Sequence, residues 1–266
     1  MANFAIFGDI HGKQDLMYET AIEWEQTNGK PIDAILQLGD FESIVKEEDF
    51  NYYYAPQRHN KKNNFADYCD GFKTAPFLTV FIGGNHEAWG LLKNYSEGGF
   101  IAPHIYFLGF SGLIEIKGVK IGGLSGIYNQ KKWKSKRNTI PSFDWKYYNK
   151  QDVDFLSKKS LDILLLHDWV SPIYDKLKTN PYASIIKKEN LPKENDMLSN
   201  KNPVYNLIEN TRPQYVFMGH KHNSYVEAKL NKTMIYGLKQ LGPERNEKSF
   251  KVIDITHNNS TLLSHL

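Results

Sequence analysis

Cysteine and arginine are both scarce in this sequence of 266 residues. Cys69 is the single cysteine, so an intramolecular disulfide and a zinc cluster built from several thiolates are both excluded. The arginines are Arg58, Arg137, Arg212 and Arg245, against a total of 33 Lys and Arg residues. Few guanidinium groups are therefore available to bind a phosphate through two hydrogen bonds. Most basic contacts with phosphate would come from lysine ammonium groups, which act as point charges.

Long hydrophobic runs are also missing. The apolar run near the N-terminus is too short for a signal peptide and no basic region precedes it, and no run approaches the ~20 residues that span a bilayer. We therefore expect a soluble protein with no membrane partner, located inside the cell: in the cytoplasm, or in the nucleus if the source is a eukaryote. The net charge of +3 is well below that of proteins that coat nucleic acid.

The chain is otherwise globular in composition, with 41% hydrophobic and 24% charged residues. Short buried strands ending next to glycine or histidine recur, and Lys13–Asn28 has the spacing of a helix. Together they predict an α/β sheet with a site at the carboxyl ends of its strands. The predicted strands are Asn3–Phe7, Ala34–Leu38, Phe77–Ile82, Ile105–Phe107, Gly112–Ile116, Val119–Gly123, Leu161–Leu166, Tyr215–Met218, Tyr225–Leu230, Thr233–Tyr236 and Phe250–Ile255. The polar stretch Pro172–Asn202 is interpreted as an excursion over the surface.

Nine histidines are present, and five of them belong to short motifs that follow predicted strands. Carboxylate, amide oxygen and neutral imidazole are suitable ligands for Mn, Fe or Zn, and the glycines allow sharp turns near a metal. Each motif alone is typical of an ordinary turn, but the set in this order predicts a metal site. The motifs are Gly8-Asp9-Ile10-His11-Gly12, Gly39-Asp40, Gly83-Gly84-Asn85-His86-Glu87, His167-Asp168 and Gly219-His220-Lys221-His222.

This series of motifs resembles the calcineurin-like metallophosphoesterase superfamily. The resemblance implies two divalent cations (Mn, Fe or Zn) and a four-layer α/β/β/α sandwich, in which two mixed sheets are flanked by helices. It implies one domain over residues 1–266. One metal would be held by Asp9, His11, Asp40 and His222, and the other by Asp40 as a bridge with Asn85, His167 and His220.

Longer blocks over residues 81–88, 98–109 and 118–128 resemble the RNA lariat debranching enzymes in particular. This implies hydrolysis of the 2′,5′-phosphodiester of branched RNA by metal-activated water. His86 would protonate the leaving ribose oxygen; the alternative is a supporting residue that is hydrogen-bonded near the metals. Glu87 and Asp168 are expected to orient ligating imidazoles.

The sequence departs from that subgroup in three places. Asp9 stands where the subgroup has Cys, and the recognition segment, residues 126–150, is shortened and has Tyr148 where an Arg is typical. The C-terminal domain of the eukaryotic enzymes is expected to be absent. Two alternatives therefore remain: a broader phosphodiesterase or nuclease on linear RNA, DNA or small diesters, and an RNA-binding relative whose metal site has decayed. The complete ligand set argues against the second.

The recognition segment mixes cations with aromatic rings, a pattern that suits contacts to the phosphates and bases of single-stranded RNA. The alternatives are a solvated loop whose rings pack back on the core, and a nuclear-targeting signal. The candidate substrate-binding residues are Lys131, Lys132, Trp133, Lys134, Lys136, Arg137, Tyr147 and Tyr148.

Overall fold

Two mixed β-sheets face each other in a computed structural model of the protein, which describes residues 1–53, 63–137, 144–170, 181–191 and 203–256. The first sheet has six strands, and four of them (β1, β2, β3 and β5) are parallel neighbours. The strands of this sheet are β1 (Ala2–Phe7), β2 (Ala34–Gln37), β3 (Thr79–Phe81), β4 (Gly99–Ala102), β5 (Ile105–Phe107) and β13 (Phe250–Ile255), in the spatial order β13-β1-β2-β3-β5-β4.

The second sheet has seven strands and a parallel centre made by β7, β8, β10 and β12. Antiparallel strands complete it on both sides. Its strands are β6 (Ser111–Ile116), β7 (Val119–Leu124), β8 (Ile163–Leu166), β9 (Ala183–Glu189), β10 (Tyr215–Met218), β11 (Tyr225–Leu230) and β12 (Thr233–Gly237), in the order β6-β7-β8-β10-β12-β11-β9.

Helices cover the outer face of each sheet. Residues of α1 (Gln14–Asn28), α2 (Phe65–Cys69) and α3 (Trp89–Leu92) pack in one core cluster with the six-stranded sheet. Residues of α4 (Lys150–Leu156) and α5 (Val204–Thr211) pack in a second cluster with the seven-stranded sheet. Two short 3₁₀ helices, Glu47–Tyr52 and Lys93–Tyr95, lie in the connections.

The alternation of side chains along the strands explains the layers. In β1, Ile6 points into a third cluster between the two sheets, while its neighbour Phe7 points toward the α1 side. In β10, Phe217 joins the cluster between the sheets and Met218 the cluster under α5. Strands buried on both faces must be apolar throughout, which is why they read as continuous hydrophobic runs. The expected four-layer sandwich is confirmed.

Most predicted strands form with bounds within one or two residues, and four form with the same bounds: β5, β10, β11 and β13. The interpretation of Pro172–Asn202 as a plain excursion missed β9, an exposed strand at the edge of its sheet. Residues 172–180 and 192–202 of that stretch lie outside the described residues. In the described part of the chain, every helix is too short or too polar to cross a membrane; the intracellular location stays a prediction.

Candidate metal centre

The motif residues meet where the carboxyl ends of five parallel strands converge. Asp9 and His11 follow β1, Asp40 follows β2, and Asn85 and His86 follow β3 in the six-stranded sheet. His167 follows β8, and the pair at 220 and 222 follows β10, in the other sheet. The site therefore lies at one edge of both sheets and draws donor groups from each.

A first donor group brings together ligand atoms that all lie within 4.8 Å of one another: those of Asp9, His11, Asp40 and His222. Nε2 of His11 lies 3.0 Å from Nε2 of His222 and 3.7 Å from Oδ2 of Asp40. The Asp40 atom is buried and accepts no hydrogen bond from the described residues. Imidazole nitrogens and carboxylate oxygens that converge in this way form a donor set suited to a Mn, Fe or Zn ion.

A second donor group lies on the other side of Asp40. The Nδ1 nitrogen of His167 lies 2.8 Å from the backbone carbonyl of Leu38, so it donates its proton there and Nε2 is left with a lone pair. That Nε2 lies 3.0 Å from Oδ1 of Asn85 and 3.5 Å from Oδ1 of Asp40. Three acceptor atoms at these distances repel one another unless a cation lies among them, so the group fits a second metal.

The backbone is strained where it delivers these side chains. His11, Asp40 and His220 all adopt left-handed conformations, with φ of 45°, 54° and 67°. Such a conformation costs a non-glycine residue about 1–2 kcal/mol, and strain of this kind persists where surrounding structure holds it. The fold thus holds three candidate ligands in conformations that local preference disfavours.

Burial and neighbouring charges set the protonation of the donor groups. Burial alone would raise the pKa of Asp9, but the hydrogen bond with His222 and the nearby imidazoles hold it well below its usual range. Burial lowers the pKa of His220 to about 4. For His11 burial also disfavours the charged form, but the hydrogen bond with Glu42 and the surrounding carboxylates raise its pKa to about 9. A metal at this position must therefore displace a proton from His11.

Two residues beside the first donor group were not identified as site residues from the sequence. Oε1 of Glu42 lies 2.8 Å from Nδ1 of His11 and accepts a 2.6 Å hydrogen bond from the hydroxyl of Tyr53. Glu42 lies two residues after Asp40 of the Gly39-Asp40 motif, and this proximity was the signal for it in the sequence. Tyr53 belongs to none of the motifs. Its contact with Glu42 depends on how the segment between β2 and α2 folds, which the sequence does not reveal.

Glu87 and Asp168 contact backbone amides. The oxygens of Glu87 accept hydrogen bonds from the N–H groups of Phe41 and Glu42 at 2.8 and 2.9 Å, and Oδ2 of Asp168 accepts one from Tyr128 at 2.9 Å. Neither makes a hydrogen bond to an imidazole among the described residues, although the charge of Asp168 acts on the imidazole of His220. Their role in orienting ligating imidazoles stays a prediction. Glu87 holds the backbone of the loop that carries Asp40, and burial raises its pKa well above the usual value.

His86 lies at the edge of the centre. Its backbone N–H donates a 2.7 Å hydrogen bond to Oδ1 of Asp40, and its ring centroid is 5.6 Å from that of His11 and 5.9 Å from that of Tyr53. Nδ1 of His86 is buried and makes no hydrogen bond with the described residues. Burial lowers the pKa of this imidazole.

The recognition segment is anchored by two of the residues expected to bind substrate. Tyr148 is 1% exposed and belongs to the core cluster under α4 and α5. Arg137 forms an ion pair with Asp152, lies 3.9 Å above the ring centroid of Phe110, and donates to the carbonyl of Trp145. Both side chains are therefore used within the fold, and the expectation that they contact substrate is corrected on that ground.

The other candidates in this segment differ in exposure. Lys131, Lys134 and Lys136 are exposed, and Tyr147 is half-buried. Lys132 forms a 2.6 Å ion pair with Asp144, and Trp133 packs against the core cluster under α4 and α5. Residues 138–143 lie outside the described part of the chain.

Comparison with known proteins agrees with this geometry. The family model described as calcineurin-like phosphoesterase matches residues 2–224. Several proteins named lariat debranching enzyme are similar to this chain. The one from Danio rerio is 35% identical over 85% of this chain and 42% of its own length. The one from Arabidopsis thaliana is 35% identical over 84% of this chain and 55% of its own length. The protein of that name in Entamoeba histolytica is 34% identical, over 84% of this chain and 64% of its own. The chain thus spans about half the length of the curated relatives it matches. With a family model covering most of its length and the metal-ligand motifs assembled at one edge of both sheets, the chain belongs to the calcineurin-like phosphoesterase family.

Proposed function

We propose that the protein is a metal-dependent phosphodiesterase that hydrolyses the 2′,5′ linkage of branched RNA. The observation that carries the proposal is the convergence of two donor groups on one carboxylate, that of Asp40. The names of the relatives, which match over more than four-fifths of this chain, support RNA as the substrate. An RNA substrate also fits an intracellular location, in the cytoplasm or the nucleus.

In this proposal Asp40 bridges two metal positions. Its Oδ2 faces Nε2 of His11 and its Oδ1 faces Nε2 of His167, at 3.7 and 3.5 Å, which supports a bridging role. Divalent cations bound there would lower the pKa of a bound water towards ~7, neutralise the phosphate and align the attacking and leaving oxygens. The first position would be held by Asp9, His11, Asp40 and His222, and the second by Asp40, Asn85, His167 and His220.

His86 is the proposed proton donor to the leaving ribose oxygen. Its backbone is fixed to Asp40 by a 2.7 Å hydrogen bond, which places the ring beside the metal positions. Because Nδ1 is buried, we assign the proton transfer to Nε2. General acids of this kind contribute about 10²- to 10⁴-fold in rate.

Lys131, Lys134, Lys136 and Tyr147 remain the proposed substrate contacts in the recognition segment. Exposed lysines can follow an RNA backbone, and a half-buried tyrosine ring can stack on an unpaired base. Arg137 and Tyr148 are left out, since the fold already uses them. The contacts to RNA phosphates would therefore be made by lysine ammonium groups, with little of the two-hydrogen-bond recognition that an arginine guanidinium provides.

One observation favours a second candidate, a phosphodiesterase with broader specificity. The position where lariat debranching enzymes carry an Arg is occupied by Tyr148, which is 1% exposed. A phosphate clamp that reads the branch is thus missing from this position. Linear RNA or DNA, or small diesters, would then be cleaved as readily as branched RNA.

A single assay separates these functions. Protein loaded with Mn²⁺ is offered a synthetic branched RNA, its linear counterpart and a chromogenic diester, with His86→Ala as the control. Cleavage confined to the branch supports the first proposal, and comparable cleavage of the linear RNA supports the second. Binding of RNA without cleavage of any substrate would contradict both, and would indicate an RNA-binding relative with a decayed metal site.

A further inference from the structure

A hydrogen-bonded chain of Tyr53, Glu42 and His11 ends at the first donor group. The Tyr53 hydroxyl and Nδ1 of His11 both lie within hydrogen-bond distance of the same carboxylate oxygen, Oε1 of Glu42, at 2.6 and 2.8 Å. A carboxylate oxygen can only accept, so both partners must donate. Burial and the neighbouring carboxylates raise the pKa of Tyr53 well above its usual range, which keeps its hydroxyl a donor.

This arrangement determines which nitrogen of His11 can bind a cation. When Nδ1 carries the proton that Glu42 accepts, the neutral ring has its lone pair on Nε2. Nε2 is the atom that lies 3.0 Å from Nε2 of His222 and 3.7 Å from Oδ2 of Asp40. The tautomer selected by Glu42 is therefore the one that presents its lone pair to the first donor group.

Glu42 is itself held firmly in place. Its backbone adopts a left-handed conformation, with φ of 59°, and its N–H donates a 2.9 Å hydrogen bond to Glu87. Its carbonyl accepts one of 2.6 Å from the side chain of Asn63. The side chain is 10% exposed, so water competes little for the carboxylate. A disfavoured backbone conformation is thus maintained by contacts on both sides of Glu42.

We propose that Glu42 is a positioning residue for metal binding: with the Tyr53 hydroxyl, it fixes the His11 ring so that Nε2 faces the first metal position. The inference rests on the metal centre of the proposed function and is independent of which phosphodiester is cleaved. Partners that orient a ligating histidine typically change metal affinity by about ten- to hundredfold when they are removed.

Mn²⁺ titration followed by electron paramagnetic resonance tests the proposal, because the signal of free Mn²⁺ falls as ions bind. It gives the number of ions bound and their dissociation constants without any substrate. Nitrogen-15 NMR of labelled histidine in protein loaded with Zn²⁺ reports in parallel which ring nitrogen of His11 carries the proton, because this diamagnetic ion displaces one proton from the ring and leaves its signals sharp. The variants are Glu42→Ala, Glu42→Gln and Tyr53→Phe. Tyr205→Phe is the matched control, because it removes a hydroxyl that donates a 2.6 Å hydrogen bond to Glu209 on α5.

We expect Glu42→Ala to weaken binding at one Mn²⁺ position about ten- to hundredfold and to leave a mixture of His11 tautomers. Glu42→Gln keeps an accepting oxygen, so it should keep the Nδ1–H tautomer and recover part of the affinity. Tyr53→Phe should weaken binding about two- to tenfold, in line with one hydrogen bond, while Tyr205→Phe leaves it unchanged.

Two results would overturn the inference while leaving the metal centre intact. The first is a Glu42→Ala protein that binds Mn²⁺ within about twofold of the unaltered protein, which itself binds two ions. The second is weakened binding with no change in the His11 tautomer, since that would indicate only a structural role for the loop. If the unaltered protein binds no Mn²⁺, the proposed metal centre itself is wrong, and the inference is overturned with it.

Discussion

A methyl group added to Gly84 would stand 2.1 Å from Oδ1 of Asp40. Real Cβ atoms do not come so close to an oxygen, so one of the two residues would have to move. Asp40 has little freedom to do so, because Oδ1 already accepts the N–H of His86 and the side chain is fully buried. The Asp40 carboxylate can therefore keep its position only if residue 84 is a glycine.

Gly84→Ala is accordingly expected to lower the number of Mn²⁺ ions bound from two and to reduce diester turnover about 100-fold, because a shift of the order of 1 Å can cost that much. Metal content by elemental analysis and turnover of a chromogenic diester measure the two effects. Gly71→Ala is the control: it has a φ of 78° but nothing within 4 Å of the added methyl group. It should cost some stability and leave turnover unchanged; equal losses in both variants would contradict the prediction.

Metal removal should lower the thermal stability of the whole protein. The donor groups come from both sheets, so bound ions would tie the sheets together at one edge. A ligand at about 100 times its dissociation constant adds about 2.7 kcal/mol, which for a domain of this size corresponds to a rise in Tm of about 5–10 °C. Calorimetry with Mn²⁺ and with a chelator measures the difference. Asp40→Asn should reduce the shift, and a shift of the same size in that variant would argue against the site.

His86→Ala should separate catalysis from metal binding. The variant is expected to keep its metal content, because the side chain of His86 belongs to neither donor group, and to lose about 10²- to 10⁴-fold in turnover. His104→Ala removes an exposed histidine from the turn between β4 and β5 and serves as the control. Loss of metal in parallel with activity would show that His86 supports the ligands and does not transfer a proton.

Arg137→Ala should destabilise the protein by about 3 kcal/mol. The change leaves the largely buried Asp152 carboxylate with the N–H of Asn149 in place of its charged partner, and removing one partner of a buried ion pair typically costs 3–5 kcal/mol. Arg245→Ala provides the matched control, because this arginine pairs with the exposed side chains of Glu19 and Glu23, where less than about 1 kcal/mol is expected. Urea unfolding of both variants gives the comparison. Similar values would mean that Arg137 does not anchor the recognition segment.

RNA binding should depend on the exposed lysines of the recognition segment. The double variant Lys131→Ala/Lys134→Ala is expected to bind single-stranded RNA more weakly. The slope of log affinity against log salt concentration should become shallower by about 0.7 for each lost phosphate contact. Fluorescence anisotropy at several salt concentrations measures this slope. The paired control changes Lys30 and Lys120, which are exposed near the amino ends of parallel strands, opposite the metal centre. The same loss in both pairs would indicate a general charge effect.

The sequence predicted the central strands well because these strands are buried on both faces. Tyr215–Met218 is an apolar run with clear ends, and the structure has β10 at the same bounds. β9 escaped prediction because Ala183–Glu189 lies at a sheet edge with most side chains exposed, so it lacks a hydrophobic pattern. α4 was missed although Asn149 and Asp152 form a capping box at its start, a local signal that the sequence contains.

The convergence of the donor residues was predictable for a related reason. Each donor follows a buried strand within one to a few residues, so motif and position coincide in the sequence. The contact of Glu42 with His11 joins residues 31 positions apart and has no such local signal. Arg137 and Tyr148 show the opposite error, because composition favoured an RNA contact and packing used both side chains elsewhere. Exposure is decided by the tertiary structure, which a charge pattern does not contain.

The register of β1 with β13 has a consequence for protein synthesis. Ala2 pairs with Ile255 and Phe7 with Phe250, so β1 leaves the ribosome well before β13, the strand with which it pairs. The first donor group has the same feature, because Asp9 and His11 depend on His222. A nascent chain therefore cannot assemble this group until β10 and the loop after it have been translated. Under the proposed function, hydrolytic activity would then appear only after β10 and this loop have been made, so a shorter nascent chain would not act on the RNA around it.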